Sequence, residues 1–116
     1  MGKGGAPRMS FLVKGLEADA DLIARFQALV SEWRREVAWT SSSSEMAMHP
    51  AYQQIIGMGQ VAVPLLLREL EQRPEHWFWA LRAITRVDPV PSEHRGKLPE
   101  MAKAWLDWGQ RHGYTW

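Results

Sequence analysis

The chain predicts an all-α protein, a compact bundle of about five helices, and three observations carry that reading. Apolar residues recur at three- and four-residue spacing in each long segment between breakers. No segment sustains the period-two alternation of β-branched residues that marks a strand. Prolines and glycines fall where helical patterns begin and end. With 116 residues the chain can bury one core without disulfides or a structural metal.

The first element runs from Asp19 or Asp21 to about Val37. Leu22, Ile23, Phe26, Leu29, Val30, Trp33 and Val37 fall within roughly 120° of arc at about 100° per residue, and Glu32 and Arg35 stand opposite. Ser41 to Ser44 then interrupts, because serine hydroxyls compete for backbone hydrogen bonds, and Ser44 is placed to cap a turn through Met48. His49-Pro50 opens a short helix containing Tyr52, Ile55 and Ile56, with His49 as its cap and Gly57 and Gly59 as its stop. Pro64 is tolerable only in a first turn, so the next helix starts near Val61 or Ala62 and ends at Gln72-Arg73-Pro74. Its apolar face is broad, with Ala62, Val63, Leu66 and Leu70 flanked by Leu65 and Leu67, and requires neighbours on more than one side. Glu75 to Arg86 is a further helix, in which Trp77, Phe78, Leu81, Ile84 and Thr85 share one arc and His76, Trp79, Ala83 and Arg86 the other. Asp88-Pro89-Val90-Pro91 breaks it, and a loop follows to Lys97. A last helix aligns Leu98, Met101, Ala102, Trp105, Trp108 and His112, with Pro99 in its first turn and Gly113 after its end.

The domain reading is a flexible, basic, Gly-rich arm over residues 1–15 and a single helical domain over residues 16–116. A net charge of +1 is too small for the whole molecule to attract nucleic acid or an acidic membrane. Absence of cysteine excludes disulfides, thiolate nucleophiles and Cys-ligated metals. The apolar run Phe11 to Val13 is far too short for a signal-peptide core or a membrane span, so a cytoplasmic protein is expected. Position 6 is Ala6, where N-myristoylation of Gly2 requires Ser or Thr.

The strings Gly59-Gln60-Val61-Ala62-Val63-Pro64-Leu65-Leu66-Leu67-Arg68-Glu69-Leu70 and His76-Trp77-Phe78-Trp79-Ala80-Leu81-Arg82-Ala83-Ile84-Thr85 resemble a bacterial HEAT-like repeat. That family pairs an Ala-Val-Pro-Leu-Leu helix, preceded by glycine, with an Ala-rich second helix across a short turn. The resemblance implies one helical hairpin within about residues 49–85, a bacterial origin and a role in binding. Trp77-Phe78-Trp79 departs from the small residues usual there, and no second copy follows at a period of about 35 to 45 residues. A single repeat makes no solenoid, so the flanking helices must close the core.

No catalytic string accompanies these helices. His49, His76, His94 and His112 form no pair at metal-ligand spacing, so no metal site and no cofactor are expected. Glu93-His94, the nearest local acid-base pair, sits in a Pro-bounded loop, and an enzyme is not the expected reading. Of the seven tryptophans, Trp79 stands apart. With His76, Arg82 and Arg86 it forms either an aromatic-guanidinium contact patch or a surface that another helix covers. The need to place so many tryptophans in a small bundle favours covering. Tyr114 and Trp116 either fold back to seal the core or add to a contact. The leading expectation is a non-catalytic protein-protein interaction module: an adaptor, accessory subunit or inhibitor-type partner acting through Trp79, Arg82, Arg86 and His76, with Tyr114 and Trp116 second. The alternative is an accessory nucleic-acid-binding protein of a ribonucleoprotein or mobile-element assembly, using Lys3, Arg8, Lys14, Arg34 and Arg35, although interleaved glutamates suit a solvated face better.

Overall fold

The apolar arc of the first helix is what the rest of the chain folds against. In the computed structural model, which describes the backbone of residues 5–116 and the side chains of residues 19–116, Phe26, Leu29, Val30, Trp33 and Val37 are all buried on one side of α1 (Gly5–Val37). This helix begins well before Asp19, where the periodicity places its start. The expected arm over residues 1–15, with Lys3, Arg8 and Lys14, lies outside the residues whose side chains are described.

Five further helices follow: α2 (Ser43–Met48), α3 (Pro50–Gly57), α4 (Ala62–Gln72), α5 (Phe78–Thr85) and α6 (Leu98–Arg111). Together they make a small all-α bundle. The chief packings are α1 on α3, α3 on α5, and α4 on α6, with α4 also touching α1 and α5. The broad apolar face of α4 is thus covered from several sides, as its sequence requires. Among the described residues no helix is long and apolar enough to cross a membrane.

Local chemistry accounts for the helix ends. Ser42, not Ser44, caps α2, its Oγ accepting the Glu45 N–H at 3.3 Å. His49 caps α3 through Nδ1, which accepts the Ala51 N–H at 3.0 Å, and Pro50 occupies the first turn. Gly113, at φ 81°, turns the chain back after α6.

The helix expected from Glu75 begins instead at Phe78, and a long-range cap explains the shift. The Tyr52 hydroxyl, carried on α3, donates to the His76 carbonyl at 2.9 Å and accepts the Ala80 N–H at 3.0 Å. It therefore fixes the turn before α5 and satisfies a buried donor of its first turn. Burial pushes the Tyr52 phenol above its ordinary pKa, against the opposing effect of the Ala80 N–H. Its ring stacks on Trp77 at 5.3 Å between centroids, and Trp77 meets Trp33 at 4.4 Å. These three aromatics join α1, α3 and the α4–α5 connection, and the Trp33 indole N–H donates to the Met46 carbonyl at 2.9 Å.

A second aromatic group closes the other end. Trp108 packs on Trp105, and Tyr114 stacks on Trp108 once Gly113 has reversed the chain. His112 also stacks on Trp108, but it is exposed where the helical wheel places it on the packed face. Trp116 returns over Gly109, at which an added Cβ would stand 3.0 Å from its ring.

Candidate functional site

Trp79 is not covered by another helix. It sits in the first turn of α5, is 39% exposed, and borders a groove of about 220 Å³. This corrects the expectation that a neighbouring helix covers it. Burial of Phe78, Ala80 and Leu81 against the core turns Trp79 and Arg82 to the outer side of α5, and the start of α6 lies across an open groove from them instead of packing over the indole. Phe78, His76, Arg82 and Ser43 line the groove together with Gly96, Leu98 and Met101, so residues before and at the start of α6 form its far side.

His76 is half-buried, its ring edge-on to Phe78 at 6.4 Å, and its carbonyl is held by Tyr52. Arg82 is one helical turn after Phe78, with its side chain 48% exposed and its guanidinium 4.0 Å from Asp88. Asp88 is held more closely by Arg95, at 2.6 Å, and accepts the Val90 N–H at 3.2 Å. Burial raises the Asp88 carboxyl, but the Arg95 and Val90 hydrogen bonds and the nearby guanidinium charges outweigh it and hold its pKa below the ordinary value. Arg86 ends α5 in the left-handed conformation at φ 64°, exposed and outside the groove lining.

Tyr114 and Trp116 do not belong to this groove. The Tyr114 hydroxyl donates to Gln60 Oε1 at 2.8 Å, and the Trp116 indole N–H donates to Glu71 Oε1 at 3.1 Å. Both are half-buried, packed back on the bundle beside α4 and α6.

Of the residues of the nucleic-acid alternative, the side chains of Arg34 and Arg35 are described, and Arg34 is engaged within the bundle. Arg34 faces inward: its Nη2 donates to Glu69 at 2.8 Å and to Glu75, and its Nε shares the Glu75 carboxylate. These hydrogen bonds hold the guanidinium above its ordinary pKa against the opposing cost of burial, with Glu75 the larger contributor. Glu69, one of the glutamates interleaved with the arginines, is buried. Arg35 remains exposed on α1.

Among the described residues, distant segments bring one metal-ligand constellation together. Glu32 and Glu36, one turn apart on α1, meet His49, with one ligand atom from each lying within 4.8 Å of the others. The polarity of His49 opposes a metal there. Its Nδ1 accepts the Ala51 N–H, so in the neutral ring Nε2 carries the proton, which it donates to Glu36 at 2.6 Å. A metal-binding histidine needs the reverse, with the second nitrogen donating outward. The pair instead ties α1 to the start of α3. Glu93 and His94 lie in a short 3₁₀ turn, with Glu93 exposed and His94 beside a different groove.

Two features have weak signatures in sequence. The Asp88 anchor lies in a loop, and the Leu98–Met101 side of the groove belongs to a distant helix. Trp39, just beyond the end of α1, is 74% exposed, more so than Trp79. The fold and site define an all-α bundle with a half-open aromatic-guanidinium groove. Comparison of the chain with family models, curated proteins and solved structures finds no match in any of the three.

Proposed function

We propose that this chain is a non-catalytic protein-protein interaction module, an adaptor, accessory subunit or inhibitor-type partner, in which α4 and α5 serve as a HEAT-like hairpin. Its contact face is Trp79 with Arg82, His76 and Arg86. The observation that carries the reading is Trp79 itself, a large aromatic left 39% exposed beside a partly apolar groove. Tryptophan and arginine are the residue types that most often dominate interface energetics. Here the aromatic is fixed on a helix whose start is held by Tyr52, so little conformational entropy would be lost when a partner seats on it.

Affinity purification from the native cell, comparing the natural chain with Trp79→Ala/Arg82→Ala, tests the proposal. The expected result is a partner protein retained by the natural chain and depleted at least tenfold by the double substitution, with the helical circular-dichroism signal unchanged. Recovery of no protein, together with salt-sensitive binding of oligonucleotides by the purified chain, would favour the nucleic-acid reading instead.

A further inference from the structure

A second exposed tryptophan has surroundings of opposite charge. Trp39, 74% exposed, lies just beyond α1, and Met48, 57% exposed, closes α2. With Val37 they form the apolar part of a groove of about 330 Å³, whose remaining walls are Glu36, Ser44, Glu45 and His49. No lysine or arginine lines it; Arg35, though close in sequence, is not among its walls. Among the described residues, neither Glu36 nor Glu45 is ion-paired to a lysine or arginine. Glu36 is occupied only by His49, and Glu45 only by the Thr40 hydroxyl at 2.6 Å. Glu32 adds a third carboxylate close behind Glu36.

We infer that this groove docks a linear, cationic segment of a partner protein, with an arginine or lysine seated on the Trp39 indole. Charge complementarity selects the occupant. An indole face attracts a guanidinium or ammonium group. Glu36 and Glu45 accept its N–H groups, arginine being favoured by its planar fork. Its methylene stem lies along Met48 and Val37, as long cationic side chains do on apolar surfaces. An acidic segment or a phosphate backbone would meet like charge at the same carboxylates. The volume is at the lower end of ligand-sized clefts and suits a few side chains of an extended or helical segment. The inference is independent of the Trp79 face, whose ionisable groove residues are His76 and Arg82.

The test is an NMR titration of the ¹⁵N-labelled full chain with a 12-residue amphipathic peptide of Leu, Ala and Arg, and with the same peptide carrying Glu for every Arg. The Trp39 indole N–H resonance is identified by its loss in Trp39→Phe. The Arg peptide is expected to shift that resonance saturably, and the Glu peptide to leave it in place at tenfold higher concentration. Glu36→Gln/Glu45→Gln should weaken binding at least tenfold. Because Glu36 also holds His49, the exposed Glu45→Lys is the second variant, expected to weaken binding at least fivefold while the helical circular-dichroism signal at the titration temperature is kept. Equal binding of the two peptides, a shift at Trp79 without one at Trp39, or full affinity in Glu45→Lys would overturn the inference. So would movement of the Trp39 resonance on dilution of the protein alone, which would make a second copy the occupant, or its saturation by zinc alone.

Discussion

Arg86 is the only non-glycine residue with positive φ among the described residues, and it ends α5 at a position where glycine is the usual choice. A side chain in the left-handed region meets its own backbone, at a cost of roughly 1 kcal/mol relative to glycine. Its N–H closes the helix on the Arg82 carbonyl at 2.8 Å, a backbone bond that glycine at this position keeps. Arg86→Gly is therefore expected to stabilise the fold by about 0.5–1 kcal/mol, read as a rise in thermal midpoint. If the Trp79 face is the contact surface, the same substitution should weaken partner capture. A variant that gains stability and loses binding would separate what this arginine does for the fold from what it does at the surface. A fall in midpoint would mean that Arg86 makes a stabilising contact outweighing its backbone strain.

At the scale of elements, the α4–α6 contact depends on one missing side chain. A Cβ built on Gly109 would stand 2.6 Å from Leu67 Cδ1 and 3.0 Å from the Trp116 ring. Leu67 is fully buried and has little room to yield, whereas Trp116 is half-buried and can move. Alanine gains about 1 kcal/mol of helix propensity over glycine, but overpacking a filled site costs typically 1–3 kcal/mol. Gly109→Ala is expected to destabilise by about 1 kcal/mol net in chemical denaturation. Removing Trp116 from that variant should cost less than removing it from the natural chain, since the alanine has already displaced the ring. Equal losses would show that Leu67 alone absorbs the overlap. Such contacts also mark how far the sequence was legible. The stripe of α1, the Pro64 start of α4 and the Gly113 stop rest on local rules and lie where those rules put them. The start of α5 depends on Tyr52 from another helix, the exposure of Trp79 on the open groove left between α5 and the start of α6, and the approach at Gly109 on the pairing of α4 with α6. No spacing within one segment encodes these. The groove was legible as a list of residues on one helix, but not as a cleft shared with Leu98 and Met101.

Across the whole molecule, Arg34 joins pieces that lie far apart in the chain. Its guanidinium reaches from α1 to Glu69 on α4 and to Glu75 in the α4–α5 connection, beside the Trp33–Trp77 contact that holds the same segments together. The Glu69 side chain is 6% exposed and its ion pair is with Arg34, so the interaction differs from a solvent-exposed bridge worth little. Arg34→Met keeps much of the stem packing but strands that carboxylate in the interior. Breaking a buried pair costs about 3–5 kcal/mol, and the partial exposure of Arg34 and Glu75 moderates this to about 2–3 kcal/mol. Urea denaturation of Arg34→Met should shift to a lower midpoint. Adding Glu69→Leu should recover at least half of the loss, because the buried charge has then gone with its partner and an apolar side chain fills its place. Failure of the second substitution to recover stability would mean that the guanidinium acts mainly as a link between α1 and Glu75. A loss below about 0.5 kcal/mol in Arg34→Met would instead place the network among surface pairs, leaving the aromatic cluster to hold α1 against the rest of the bundle.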